Sequence, residues 1–150
     1  MSTEGKKDYL TLGGIKIEVE RRGNGAPMIV LYGEELLELD SPVLDDLAKD
    51  HELIIPSPPG FSTSERPDWV TRPDDTAFML LDLIDELKLS GVPVIGFSYG
   101  GWAAAETATM DDSAISKLVL VDPFGIKVGG PLDRDIQDMY LLHPATAISA

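Results

Sequence analysis

Val92-Pro93-Val94-Ile95-Gly96-Phe97-Ser98-Tyr99-Gly100-Gly101 is the stretch that decides the fold class of this chain. Val92 to Ile95 is short, apolar and rich in β-branched residues, follows a break at Ser90-Gly91, and leads into the small, alanine-rich stretch Gly101 to Thr109. That order predicts a buried strand, a sharp turn and a helix. The G-x-S-x-G pattern in the turn marks Ser98 as a candidate nucleophile. Such a turn holds the serine in a strained conformation, tolerates only small neighbours two residues away, and lifts the hydroxyl clear of the sheet. A glycine-rich turn carrying an ordinary helix-capping serine is the competing reading.

Upstream, Tyr9 to Leu12 and Ile15 to Arg21 flank Gly13-Gly14, and Ile15, Ile17 and Val19 alternate with Lys16, Glu18 and Glu20. This predicts a hairpin with one wet face. Met28 to Tyr32 is continuously apolar, as a strand covered on both faces would be, and ends at Gly33. Ser41-Pro42 opens a helix to about Lys49, and Leu53 to Ile55 is a further buried strand. The loop from Pro56 to Pro73 is rich in Pro, Ser and Thr, and Ser57, Ser62, Thr63 and Ser64 read as turn formers. Asp74 to Leu89 carries Ala77, Leu80, Leu81, Ile84 and Leu87 at helical spacing. Leu118 to Val121 is another buried strand, and Asp133 to Leu142 a short helix. Strands alternating with helices after a hairpin predict an α/β fold with a mainly parallel sheet and flanking helices. Ligands then bind beyond the carboxyl ends of the strands, where Tyr32 to Glu35, Ser57 to Ser64, Phe97 to Gly100 and Asp122 to Gly125 lie.

The chain has 150 residues, enough for one domain, and 26 acidic against 12 basic residues give a net charge of −14. Without clustered Lys and Arg, a nucleic-acid partner is not expected. No apolar run is long enough to span a bilayer, no membrane partner is expected, and the polar start from Met1 to Asp8 directs no secretion, so a cytoplasmic location is expected. The absence of cysteine excludes disulfides, thiolate metal sites and a cysteine nucleophile. No cofactor and no metal are expected.

Four pieces in order, Leu31-Tyr32-Gly33, Pro58 to Ser64, Gly96 to Gly101 and Leu118 to Pro123, resemble the α/β-hydrolase fold family, and in particular its lid-bearing serine esterase-like members. The resemblance implies the amino-terminal part of that fold: a flexible segment 1–8, a core 9–123, and the start of a lid or connector at 124–150. By the same resemblance Ser98 is the nucleophile, and the backbone N–H groups of Tyr99 and Glu34 are the oxyanion-hole donors. Tyr32 stands where the family usually has histidine, and Glu34 brings a carboxylate to a site meant for an oxyanion. Related haloalkane dehalogenases and epoxide hydrolases carry aspartate at the nucleophile position, so serine favours acyl transfer from an ester or similar small acyl substrate.

A serine nucleophile needs a base oriented by an acid, in the family order Ser, Asp or Glu, His. The chain stops before the strands that carry acid and base in the family. His51 precedes a strand, at the wrong end of the sheet. His143 is the candidate base, or a histidine ending a surface helix before Pro144. Asp122 is the candidate acid, or a cap of the turn at Pro123. Tyr32, Gly33, Phe97, Trp102 and Phe124, with Tyr99, are candidates to line the substrate pocket; aromatic residues here also serve as core. A non-catalytic module binding a small ligand or a protein partner is the alternative function. The Leu118 to Val121 strand is expected to be an open edge, suited to self-association or to a carboxyl-terminal complementing segment.

Overall fold

The computed structural model describes residues 5–33, 41–126 and 129–133. The hairpin forms as β1 (Lys6–Leu12) and β2 (Ile15–Arg22), antiparallel with Leu12 opposite Ile15. There follow β3 (Ala26–Leu31), α1 (Pro42–Leu47), β4 (His51–Pro56), α2 (Pro73–Glu86), β5 (Val92–Phe97), α3 (Ser98–Met110) and β6 (Ile115–Val121). The strands make one sheet in the order β1-β2-β4-β3-β5-β6. It is parallel from β4 to β6 and antiparallel where β2 meets β1 and β4. The expected fold class is the one observed.

Alternation along each central strand feeds two cores. Ile29 and Leu31 of β3 and Ile54 of β4 join Ile17, Val19, Leu80, Leu83 and Val94 under α2 and α3. Met28, Val30, Tyr32, Leu53 and Ile55 point the other way and pack with Leu44 and Ala48 at α1. Helices on both faces are why these strands read as unbroken apolar runs. Each fully buried aliphatic side chain contributes roughly 1.5–3 kcal/mol. The glutamate-bearing face of β2 departs from expectation. Glu18 and Glu20 are 5% exposed rather than solvated. The segment after β4 folds back across this face, Ser57 N–H donating to the Glu18 carbonyl at 2.9 Å and Ser64 Oγ accepting from Glu18 N–H at 2.9 Å. Glu20 is paired there with the buried Arg22.

Several elements run past their expected ends because backbone pairing outlasts the apolar pattern: β1 begins at Lys6, opposite Arg21, and β5 continues to Phe97, opposite Val121. α2 begins at Pro73, with Asp75 Oδ2 accepting from the Thr71 and Arg72 N–H groups at 2.8 and 2.9 Å. Among the described strands β6 is an edge, with Val119 and Val121 exposed. Beyond Asp133, the expected helix to Leu142 lies outside the described residues. No helix among the described residues is long and apolar enough to cross a membrane.

Candidate active site

β5 is flanked by β3 and β6, and at its carboxyl end the chain turns into α3 at Ser98. Ser98 has φ of +50°, the left-handed region that a non-glycine residue enters only under strain. What holds it there is backbone packing. A Cβ on Gly96 would stand 2.6 Å from Gly101 Cα, and one on Gly100 would stand 2.5 Å from the Leu31 carbonyl carbon and 2.6 Å from Tyr32 N. The first turn of α3 therefore lies directly on the end of β3. Gly33 completes the contact, since a Cβ there would be 2.9 Å from Tyr99 N. The Tyr99 amide and the chain leaving β3 are thus brought together beside Ser98. The Ser98 hydroxyl has no hydrogen-bond partner among the described residues.

Asp122, with φ of +45°, follows β6 at the same end of the sheet and is exposed. Its loop is tied to the turn, because Phe124 N–H donates to the Ser98 carbonyl at 3.2 Å. His51 begins β4 at the opposite, amino-terminal end of the parallel strands, where it pairs with Ala26. Glu34 and His143 lie outside the described residues. The aromatic candidates separate. Tyr32 is in the α1 core, with Phe97 packed against it. Trp102 donates through Nε1 to Glu106 at 3.0 Å and underlies Gly125, while Phe124 is exposed. Tyr99 stacks on Phe61 with ring centroids 5.9 Å apart, and its hydroxyl is 2.8 Å from Thr76 Oγ1.

Phe61 and Tyr99 form one wall of an open cleft of about 300 Å³, with Arg66 and Arg72 also lining it. The loop from Pro56 to Pro73 signals a functional segment by its length and composition, but neither property names Phe61 or Arg66. Among the described residues no group of three or more His, Asp or Glu side chains is disposed to hold a metal.

The serines of that loop do more than turn the chain. The Glu18 carboxylate accepts from Lys7 Nζ at 2.9 Å, Ser62 Oγ at 3.1 Å, Thr63 Oγ1, and Ser57 Oγ at 3.5 Å. Ser57 Oγ is 2.7 Å from the Tyr32 hydroxyl. Burial opposes ionisation of Glu18, yet the hydrogen bonds from Thr63, Lys7 and Ser62 together hold its carboxyl below the usual carboxylate value. Burial also raises the Tyr32 phenol above its ordinary value, against the lowering effect of its Ser57 hydrogen bond. A depressed folded-state pKa contributes stability that is present above the unfolded value and lost as pH falls through the folded one. Urea midpoints are accordingly expected to fall as pH drops below about 4.3, with Glu18→Gln showing a shallower decline. Parallel wild-type and Glu18→Gln profiles would contradict the ionised, hydrogen-bonded Glu18.

The profile of a family described as alpha/beta hydrolase fold matches residues 27–146. The 2-hydroxymuconate semialdehyde hydrolase of Pseudomonas sp. (strain CF600) is 25% identical over 145 residues, 89% of this chain and 48% of that protein. Abhydrolase domain-containing protein abhd-5.2 of Caenorhabditis elegans is 30% identical over 77 residues, 49% of this chain and 17% of that protein. A crystal structure of an alpha/beta hydrolase fold protein from Burkholderia ambifaria superposes with a TM-score of 0.72 at 25% identity, covering 82% of this chain and 46% of that one. The chain spans about half the length, or less, of the curated relatives it matches.

Proposed function

Since the chain belongs to the alpha/beta hydrolase fold family, we propose that it provides the nucleophile half of a serine hydrolase, in which Ser98 attacks an ester or similar small acyl substrate to form an acyl-enzyme. The observation that carries this reading is the left-handed Ser98 at the end of an inner parallel strand, locked by close backbone contacts at Gly96 and Gly100. A helix-capping serine needs neither the strain nor the contacts. The Tyr99 N–H, held against Gly33, is the oxyanion donor within the described site, with Glu34 N–H as its partner. Asp122 is the candidate acid by position on the loop tied to Ser98, the base comes from a complementing segment rather than from His143, and the Phe61 and Tyr99 wall is the acyl-binding surface. No cofactor takes part, and the protein works in the cytoplasm.

The experiment is pre-steady-state hydrolysis of p-nitrophenyl acetate. Acyl-enzyme formation predicts a burst of one p-nitrophenol per chain followed by a slow phase, with no burst in Ser98→Ala. A wild type without a burst, or a burst retained in Ser98→Ala, would contradict the acyl-enzyme and favour a ligand- or partner-binding module.

The β6 edge supplies the partner surface. Its outer edge, which no other strand among the described residues pairs, and its exposed Val119 and Val121 suit pairing with a second copy or with a complementing carboxyl-terminal segment. Self-association is the expected result in light scattering at micromolar concentration, diminished by Val119→Lys. A strictly monomeric wild type would mean that the edge is already covered.

A further inference from the structure

Strand pairing stops holding the main chain at Leu31, whose partner on β5 is Gly96, so the ladder does not reach Tyr32 and Gly33. These two residues nonetheless lie against the first turn of α3, since a Cβ on Gly100 would stand 2.6 Å from Tyr32 N and one on Gly33 would stand 2.9 Å from Tyr99 N, the residue after Ser98. A polar tether on this segment is Tyr32, a residue 6% exposed, whose hydroxyl meets Ser57 Oγ at 2.7 Å. Ser57 Oγ in turn faces Glu18 Oε1 at 3.5 Å. An ionised carboxylate only accepts, so Ser57 donates to Glu18 and offers its lone pair to the Tyr32 O–H. The direction of the chain is set from the Glu18 end.

Glu18 is itself pinned from several elements. Lys7 reaches it from β1, Ser62 and Thr63 from the loop after β4, and Ser64 holds its backbone N–H. A buried carboxylate is destabilising unless it is fully paired, and core packing alone is met as well by an apolar residue of the same size. We infer that Glu18 and Ser57 are positioning residues, which hold Tyr32 and with it the Gly33 backbone against the Tyr99 amide, keeping the oxyanion site formed. The inference rests on the reading of Ser98 as nucleophile and extends it to a carboxylate on the hairpin. A displacement of about 1 Å in such a site costs up to about a hundredfold in rate.

The test uses a p-nitrophenyl alkylphosphonate, with rate followed against probe concentration in the full chain. Tyr32→Phe and Ser57→Ala are each expected to lower the limiting phosphonylation rate at Ser98 about tenfold, with the half-saturating concentration unchanged. The double variant is expected to be no slower than either single, because both break one chain of hydrogen bonds. Glu18→Gln, which keeps an acceptor oxygen toward Ser57, should recover most of the rate lost in Glu18→Ala. Unchanged limiting rates, or losses that multiply in the double variant, would overturn the inference. Amide hydrogen exchange provides an arm independent of Ser98 chemistry. In Tyr32→Phe and Ser57→Ala the Gly33 N–H should exchange about tenfold faster while the β1 and β2 amides keep their rates. Unaltered Gly33 exchange would overturn the tether. A wild type that is never phosphonylated would instead refute the Ser98 reading, and the exchange result would still decide the tether.

Discussion

Gly100→Ala is expected to abolish cooperative unfolding, or to lower the urea midpoint by the equivalent of about 3 kcal/mol or more, and to eliminate reaction at Ser98. The new methyl group would sit 2.5 Å from the Leu31 carbonyl carbon, 2.6 Å from Tyr32 N and 2.7 Å from Leu31 O. These are backbone atoms, so no rotamer change makes room. Relief requires α3 to move off β3, and β3 is paired to β5 through Ile29 with Val94 and Leu31 with Gly96. The strain therefore spreads into the inner strands that carry both cores. Overpacking of a well-filled interior costs about 1–3 kcal/mol when side chains can yield, and this site has none to yield. Gly14→Ala, whose Cβ would meet nothing within 4 Å but whose φ is +84°, brings left-handed strain without a collision and is expected to lower the midpoint less. A Gly100→Ala protein with the wild-type midpoint would show that the turn does not pack on β3.

The second large effect is in turnover. The Ser98 hydroxyl lacks a hydrogen-bonded base among the described residues, and His51 stands at the far end of the sheet. Loss of the base from a serine triad costs on the order of a millionfold in turnover, leaving binding and oxyanion effects. Steady-state hydrolysis of an activated ester by the chain is therefore expected at that residual level, and His143→Ala is expected to leave it unaltered. A turnover number of about 1 per second or more, abolished by both Ser98→Ala and His143→Ala, would place His143 at Ser98 and make the chain a complete enzyme.

The strand, turn and helix from Val92 to Met110 are legible in the sequence because each is specified locally: a β-branched run, glycines where only hydrogen fits, and alanines that let α3 lie close. The two-sided burial of β3 and β4 is legible for a related reason, since a strand that is apolar at every position has to be covered on both faces. Glu18 is not legible. Alternation along β2 correctly separates Ile15, Ile17 and Val19 from Glu18 and Glu20, but nothing in it tells that residues 57–64 return to cover the second face. Tyr32 and Ser57 are 25 positions apart, so their hydrogen bond is a product of the tertiary fold. The aromatic residues near Ser98 mislead in the opposite direction. Phe97, Ser98 and Tyr99 are consecutive, yet Phe97 packs toward α1 while Tyr99 turns to Phe61 and Thr76, because a strand end and a helix start project neighbouring side chains to opposite faces.

Whether the strained turn at Ser98 makes a nucleophile is read from the mass of the intact chain after exposure to a phosphonylating probe, followed by peptide mapping. One adduct per chain is expected, confined to Ser98 within the peptide that spans β5 and α3, and absent from Ser98→Ala. An adduct that persists in Ser98→Ala on Ser57, Ser62 or a tyrosine, or no adduct in the folded wild type, would contradict it.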